Sequence, residues 1–432
     1  VAGLRRNWLV LAVGLIILLS FTKKETRSWA SMSRLAAAWA ISEHYGLAVD
    51  TPDNRFGRMG GDKALIRGRF YSDKPPVMGF LAGLAALGLK PFGLGFNRDR
   101  FATLYVLILL MVGLPFLAFI HLLSLRAGSQ ALGLAALLSS LALPYAFVFN
   151  NHLPAGCLLG LVLLRRLDET AGPRAALADG LMLGLAPALD FSAGLAGLPL
   201  ALWVFFFRLK DSRSRLVLIG AGLIPLALHA GLNYPLTGDL KPPLMHAELL
   251  LFPGSALKAG DLTGVRGVLV EGLAGWLGNL WDLTLGVKGF LLLCPMSALG
   301  LAGLVAVILG LGARADRASF WTGLGQGREA RLLAGGLLAG VLAVGLYYSL
   351  YASAHSSGWN YSIRWFVVLI PLVLPYALLL MARARGAWRP ILWGLAAVSA
   401  VMALAAWPNP WLRPHQEVSD LIAGFRNWRE IF

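Results

Sequence analysis

The residues with the clearest chemical potential lie in one polar block, Gly61 to Pro76, which sets paired acids and bases inside an otherwise apolar polypeptide. The block ends Tyr71-Ser72-Asp73-Lys74-Pro75-Pro76. Two consecutive prolines fix an extended backbone and remove two N–H donors, so Lys74 stands just before a rigid bend rather than on a mobile loop. A cation directed in this way calls for an anion. The competing reading of the same residues is a proline-bounded loop whose Asp and Lys side chains are solvated.

Composition sets the elements that must position this block. The chain has 432 residues, of which 57% are hydrophobic and 14% charged, with a mean hydropathy of +0.68. That excludes a soluble domain of this length. Apolar runs of about 20 residues recur from end to end, as helices crossing about 30 Å of hydrocarbon require. The formal charge of +16 does not point to nucleic acid, because Arg and Lys gather in short connections between apolar runs, the positive-inside pattern. Cys157 and Cys294 lie within apolar runs, lack metal-ligand spacing, and read as small buried hydrophobes.

A first helix is expected over about 8–21, a retained signal-anchor with Arg5 and Arg6 on the cytoplasmic side. The connection 22–100 then lies outside and holds most of the polar chemistry. Within it Trp29, Met32, Leu35, Ala36, Trp39 and Ile41 approximate one apolar face, with Ser31 and Arg34 off it, which predicts an amphipathic helix on the bilayer surface. The run 77–92 dips into the bilayer without crossing, because only then do Arg126, Arg165, Arg208–Arg215 and Arg383–Arg389 all fall inside. Further spans are expected near 101–125, 130–149, 153–168, 174–190, 191–207, 216–234, 289–311, 332–351, 365–382 and 390–407. The fold class is therefore an all-α integral membrane bundle of about eleven crossings, a single domain over 1–432. Its long outer segments are 22–100, 235–288 and the tail 408–432.

At this point the chain resembles the GT-C superfamily of membrane glycosyltransferases, whose protein O-mannosyltransferase and lipid A aminoarabinose transferase branches are the nearest. Those branches carry Asp-Glu-x-Arg-Tyr after the first helix, an Arg five residues later, and a closing Tyr-x-x-Lys-Pro-Pro. Here Glu25-Thr26-Arg27-Ser28-Trp29 precedes Arg34, and Tyr71 to Pro76 matches the second motif. Glu25 stands where the family has its catalytic Asp, and Thr26 replaces the second acid. Ser356-Ser357-Gly358-Trp359-Asn360-Tyr361-Ser362-Ile363-Arg364 looks like a Gly- and Ser-rich loop ending in Arg that precedes a late helix in many members.

The resemblance implies transfer of a sugar from a polyprenyl-phosphate carrier to a lipid, glycan or protein acceptor, in the cytoplasmic (inner) membrane and facing the periplasm or cell exterior. Such transfer needs a base for the acceptor hydroxyl and cations for the departing phosphate. Glu25 is the expected base and Asp62 the second choice; the plain reading of Glu25, among Lys23, Lys24 and Arg27, is an interfacial counter-charge. Lys74 and Arg364 are expected at the phosphate, Lys as a point charge and Arg through its fork, with Arg34 as a third cation or a partner for an acid. Tyr71, Asp73, Asn151, His152, Asp190, His355 and Tyr361 are candidates for the substrate, although loop histidines and helix-end acids often meet only water. No His, Asp and Glu cluster has metal spacing, so no cofactor is expected, with a divalent cation left open.

Two other classes remain: a transporter or flippase of lipid-linked sugars, which would place ionisable residues mid-span, and a GT-C-like chain without activity. An O-antigen-type polymerase or ligase would lack the acid-bearing first loop. The topology is tested by cysteine accessibility: an impermeant thiol reagent on intact cells labels Gly60→Cys and not Phe320→Cys, and the reverse pattern overturns the assignment.

Overall fold

The computed structural model describes residues 8–26, 28–50, 62–167, 172–255, 257, 272–311, 323–351 and 360–411. Among them the only sheet is one two-stranded hairpin; the remaining elements are helices. Six helices are long and apolar enough to cross a bilayer. They are α4 (Arg100–Ala127), α8 (Phe191–Arg208), α9 (Ser212–Thr237), α12 (Gly327–Tyr351), α13 (Arg364–Arg383) and α14 (Trp388–Ala405). Between and before them stand α1 (Trp8–Phe21), α2 (Trp29–His44), α3 (Pro76–Leu89), α5 (Gln130–Leu138), α6 (His152–Arg166), α7 (Pro173–Leu189), α10 (Gly272–Thr284) and α11 (Pro295–Ile308). These are shorter, so length and composition establish an integral membrane helical bundle without fixing eleven crossings.

The helices touch through small residues, as expected where lipid offers no hydrophobic drive for association and packing must supply the attraction. A Cβ on Gly156 of α6 would come within 2.5 Å of the Val368 carbonyl oxygen of α13, and one on Gly300 of α11 within 2.5 Å of that of Val373. Gly184 of α7 is tighter still: a Cβ there would come within 2.0 Å of the Gly222 oxygen of α9. Helix α13 is thereby buried on nearly every side, whereas α9 and α14 show Leu223, Ile224, Val398 and Val401 outward, toward lipid.

Packing places charged groups at two opposite ends. At one end Arg166 and Arg165 (3.3 Å) pair with Asp179, and Arg208 bonds Glu329 (2.6 Å) and the Leu167 oxygen (3.0 Å). At the other, Lys23 N–H donates to Phe147 O (2.8 Å) and Ser31 Oγ–H to Phe149 O (2.6 Å), tying the chain after α1 to the turn before α6.

Helix α2 departs from the expected surface helix. It is buried on most of its circumference, including Ser33 and also Ser31 and Arg34, which the apolar pattern placed off the apolar face. The reason is a second helix: α3, started by the preset φ of Pro76, runs parallel to it, with Gly79 against Arg34 O and Ala37, and Gly83 against Ile41 and Ala38 O. The run 77–92 is this companion to α2, and Lys90 closes the pair on Ser42 O (2.5 Å) and Glu43 (3.0 Å). The segment expected as loop before Pro75 holds the hairpin, β1 (Lys63–Ile66) against β2 (Arg69–Ser72). Its two-residue turn has Arg67 at φ 52° and Gly68 at φ 78°, the left-handed pair whose twist suits a hairpin. Cys157 and Cys294 are free and buried.

Gly184→Val should lower stability by about 1–3 kcal/mol through overpacking, read as an earlier thermal transition in detergent. Gly231→Ala on the same partner helix, where a Cβ meets nothing within 4 Å, should not. Equal behaviour of the two would contradict the close α7–α9 contact.

Candidate active site

The site is assembled on α2. Ser31 and Arg34 share one face, because residues three apart on a helix are neighbours. The Ser31 bond to Phe149 O therefore brings Arg34 beside the 149–152 turn. Ser33, on another face, bonds Ser72 Oγ (2.6 Å) and Asp73 Oδ1 (3.4 Å), which brings the hairpin exit to the same helix. The Asp73 carbonyl accepts from Leu244 N (2.9 Å), so the chain following α9 closes over it.

Lys74 is held between two acids, with Nζ 2.7 Å from Asp73 and 3.0 Å from Asp62. Asp73 is fully buried and the Lys74 side chain is 11% exposed. A cleft beside it is lined by Arg34, Tyr71, Lys74, Gly79, Asn233 and Pro243, among others. Asn233, fully buried near the end of α9, lines this cleft, and its Oδ1 has no partner among the described residues.

Arg34 is the most constrained cation. It is buried, Nη1 donates to Ala30 O (3.0 Å), and Nε has no partner among the described residues. Burial first, and then the positive charge of Arg364, pull its guanidinium down to about 10, against the opposing effect of Asp73, Asp190 and Asp62. It stays protonated at neutral pH, and Arg364 stands near enough to be felt. The Nε of Arg364 is likewise buried and unpaired among the described residues.

On the far side of Arg34, the helix α7 ends and α8 begins at Asp190, whose extended backbone (φ −148°) turns the corner and whose Oδ1 caps Ser192 N–H (3.0 Å). Its Oδ2 meets His152 Nδ1 in a short hydrogen bond. Ser192 Oγ–H also donates to Asp190 Oδ1 (3.0 Å), and that hydroxyl is 2.7 Å from Tyr348 OH. The Tyr348 ring stacks on Trp365 at 4.5 Å and 3°, next to Arg364. Burial pulls the His152 imidazole below its ordinary pKa; the Asp190 carboxylate opposes this, and Arg364 and Arg34 add to the fall.

The structure thus gathers Arg34, Asp62, Asp73, Lys74, His152, Asp190 and Arg364, with Tyr71 at the cleft and Asn151 beside His152, anchored to Leu189 O (2.9 Å). It does not gather Glu25, which is exposed and has no ion pair or hydrogen bond to these residues. Tyr361 packs toward α14, its N–H on Pro410 O (3.0 Å) and its hydroxyl 3.9 Å from Met402 Sδ. His355, Ser356–Trp359 and the chain beyond Trp411 lie outside the described residues. Sequence reading missed Ser33, Ser192, Asn233 and Tyr348. Asp190-Phe191-Ser192 is a helix-capping pattern that signals Ser192; Tyr348 reads as an aromatic at a span end. No group of three or more His, Cys, Asp or Glu able to hold a metal occurs among the described residues.

The chain's fold is similar to that of two solved structures. One is ArnT from Cupriavidus metallidurans bound to undecaprenyl phosphate, at 15% identity and TM-score 0.48, over 93% of this chain and 63% of that one. The other is the archaeal oligosaccharyltransferase AglB from Archaeoglobus fulgidus, in complex with an inhibitory peptide and a dolichol-phosphate, at 14% identity and TM-score 0.46, over 94% of this chain and 56% of that one. The chain spans less than two thirds of the length of either. No protein-family model matches the sequence, and no curated protein matches it.

Lys74→Met removes the shared cation of two acids and should cost about 3 kcal/mol of stability at neutral pH, the scale of a broken buried pair. The loss should appear as an earlier thermal transition in detergent, and a transition as in wild type would contradict the pairing.

Proposed function

We propose that this protein is a membrane glycosyltransferase that moves a sugar from a polyprenyl-phosphate-linked donor to a hydroxyl-bearing acceptor on the non-cytoplasmic side of the inner membrane. One observation carries the reading. Two guanidiniums 330 positions apart, Arg34 and Arg364, are held close enough to depress the proton affinity of the first, and each keeps a buried Nε–H without an acceptor among the described residues. The nearby acids are engaged elsewhere, Asp62 and Asp73 with Lys74 and Asp190 with His152. Like charges with spare buried donors favour an anion between them, and the planar fork of Arg suits a phosphate.

A phosphodiester on a lipid carrier fits the place as well as the charge. The pair lies at the end of the bundle opposite the Arg-rich turns, which the positive-inside pattern assigns to the cytoplasm. It adjoins the cleft formed by the Tyr71-to-Pro76 segment, the motif that supports the GT-C resemblance. On this reading Lys74 orders the cleft wall through Asp62 and Asp73, and the guanidiniums stabilise the charge that develops on the leaving phosphate. The charged groups lie at the two ends of the bundle rather than along a mid-bilayer path, which favours transfer over carriage.

With the full chain in nanodiscs and undecaprenyl phosphate as the probe, Arg34→Gln and Arg364→Gln should each weaken binding about 10–100-fold, the loss of a hydrogen bond to a charged group. Arg98→Gln, an exposed charge, should not. Wild-type affinity in both guanidinium variants would overturn the reading.

A further inference from the structure

Among the gathered residues only one side chain combines a fixed orientation with an open basic atom. We propose that His152 is the general base that deprotonates the acceptor hydroxyl and that Asp190 is its positioning residue, an inference resting on the phosphate-linked donor reading above. His152 Nδ1 is bonded to Asp190 Oδ2, while Asp190 Oδ1 is fixed by Ser192 N–H and Oγ–H, both at 3.0 Å. Ser192 is in turn held by Tyr348, stacked on Trp365. With Nδ1–H committed to the carboxylate, the lone pair must sit on Nε2, which has no partner among the described residues. The side chain retains 10% exposure, so that nitrogen is not sealed off.

The bases expected from sequence are worse placed. Glu25 is exposed and unconnected to the cluster, and Asp62 already bonds an ammonium, which weakens a carboxylate as a proton acceptor. The dyad stands in the field of Arg34 and Arg364, where the leaving phosphate is placed. In the step, His152 Nε2 takes the hydroxyl proton as the acceptor oxygen bonds the anomeric carbon. The bond from that carbon to the phosphate oxygen breaks, and its electron pair leaves on the polyprenyl phosphate beside the two guanidiniums. The imidazolium is balanced by Asp190 and then loses its proton to water. A helix-end ion pair with no catalytic part would look alike in the free protein but would not govern a rate.

The test uses the full chain in nanodiscs, a panel of undecaprenyl-phosphate-linked hexoses and pentoses as donors, and a solubilised cell-envelope fraction as acceptor source; released undecaprenyl phosphate is the readout. His152→Gln should bind undecaprenyl phosphate as wild type does while turnover falls about 10²–10⁴-fold. Wild type should lose rate in acid with a one-proton limb, set by the imidazole among Asp190, Arg364 and Arg34, and the residual rate of His152→Gln should lack it. Asp190→Asn keeps the Ser192 cap but removes the charge that holds the imidazole pKa up, so its limb should move to lower pH with a reduced plateau. Wild-type turnover in His152→Gln, or a limb that survives in it, overturns the dyad and leaves the transferase reading standing. A wild type that releases nothing from any donor overturns both.

Discussion

Taking a guanidinium out of water costs several kcal/mol unless its charge and donors are met, and Arg34 is buried in a protein that is mostly apolar. Much of the structure around it follows from that constraint. Its own helix supplies one acceptor at Ala30, and the acids at 62, 73 and 190 supply a field that opposes its loss of the proton. These acids come from two separated parts of the chain, Asp62 and Asp73 flanking the hairpin and Asp190 at the α7–α8 corner, so holding the cation requires the two to meet on α2. Ser33 ties the hairpin exit to α2, and Ser31 ties on the turn before α6, whose His152 bonds Asp190 at the α7–α8 corner.

The bundle makes such a meeting possible by keeping its ends different. Glycines at the α6–α13, α7–α9 and α11–α13 crossings let backbones approach directly, and this rigid middle carries few charges. Ionisable groups are pushed to the ends, where one set pairs locally around Asp179 and Glu329 and the other converges on Arg34. The two sets of charges are thereby kept apart along the bundle.

Helical class, the membrane setting and the importance of the 61–76 block were legible because they depend on composition and local spacing. Lys74 could be singled out because two prolines announce a fixed bend. The hairpin was hidden by Arg67: a two-residue turn usually declares itself by Asn-Gly or Asp-Gly, and an arginine at positive φ does not. The burial of α2 was hidden because its cover, α3, is itself apolar and reads as a membrane dip. Asp190 and His152 were visible as single residues at helix ends, but their pairing spans 38 positions and depends on how α6 packs against α7. Glu25 illustrates the converse, since spacing alone marked it and the structure leaves it at the surface.

Shielding by dissolved ions acts on charges that solvent can reach, over a Debye length of about 8 Å at physiological salt, and much less on buried ones. The Nε groups of Arg34 and Arg364 are buried and have no partner among the described residues, so dissolved ions reach them less than they reach surface arginines. An anion held by those two groups, as proposed above, would feel a change of ionic strength less than one held at the surface.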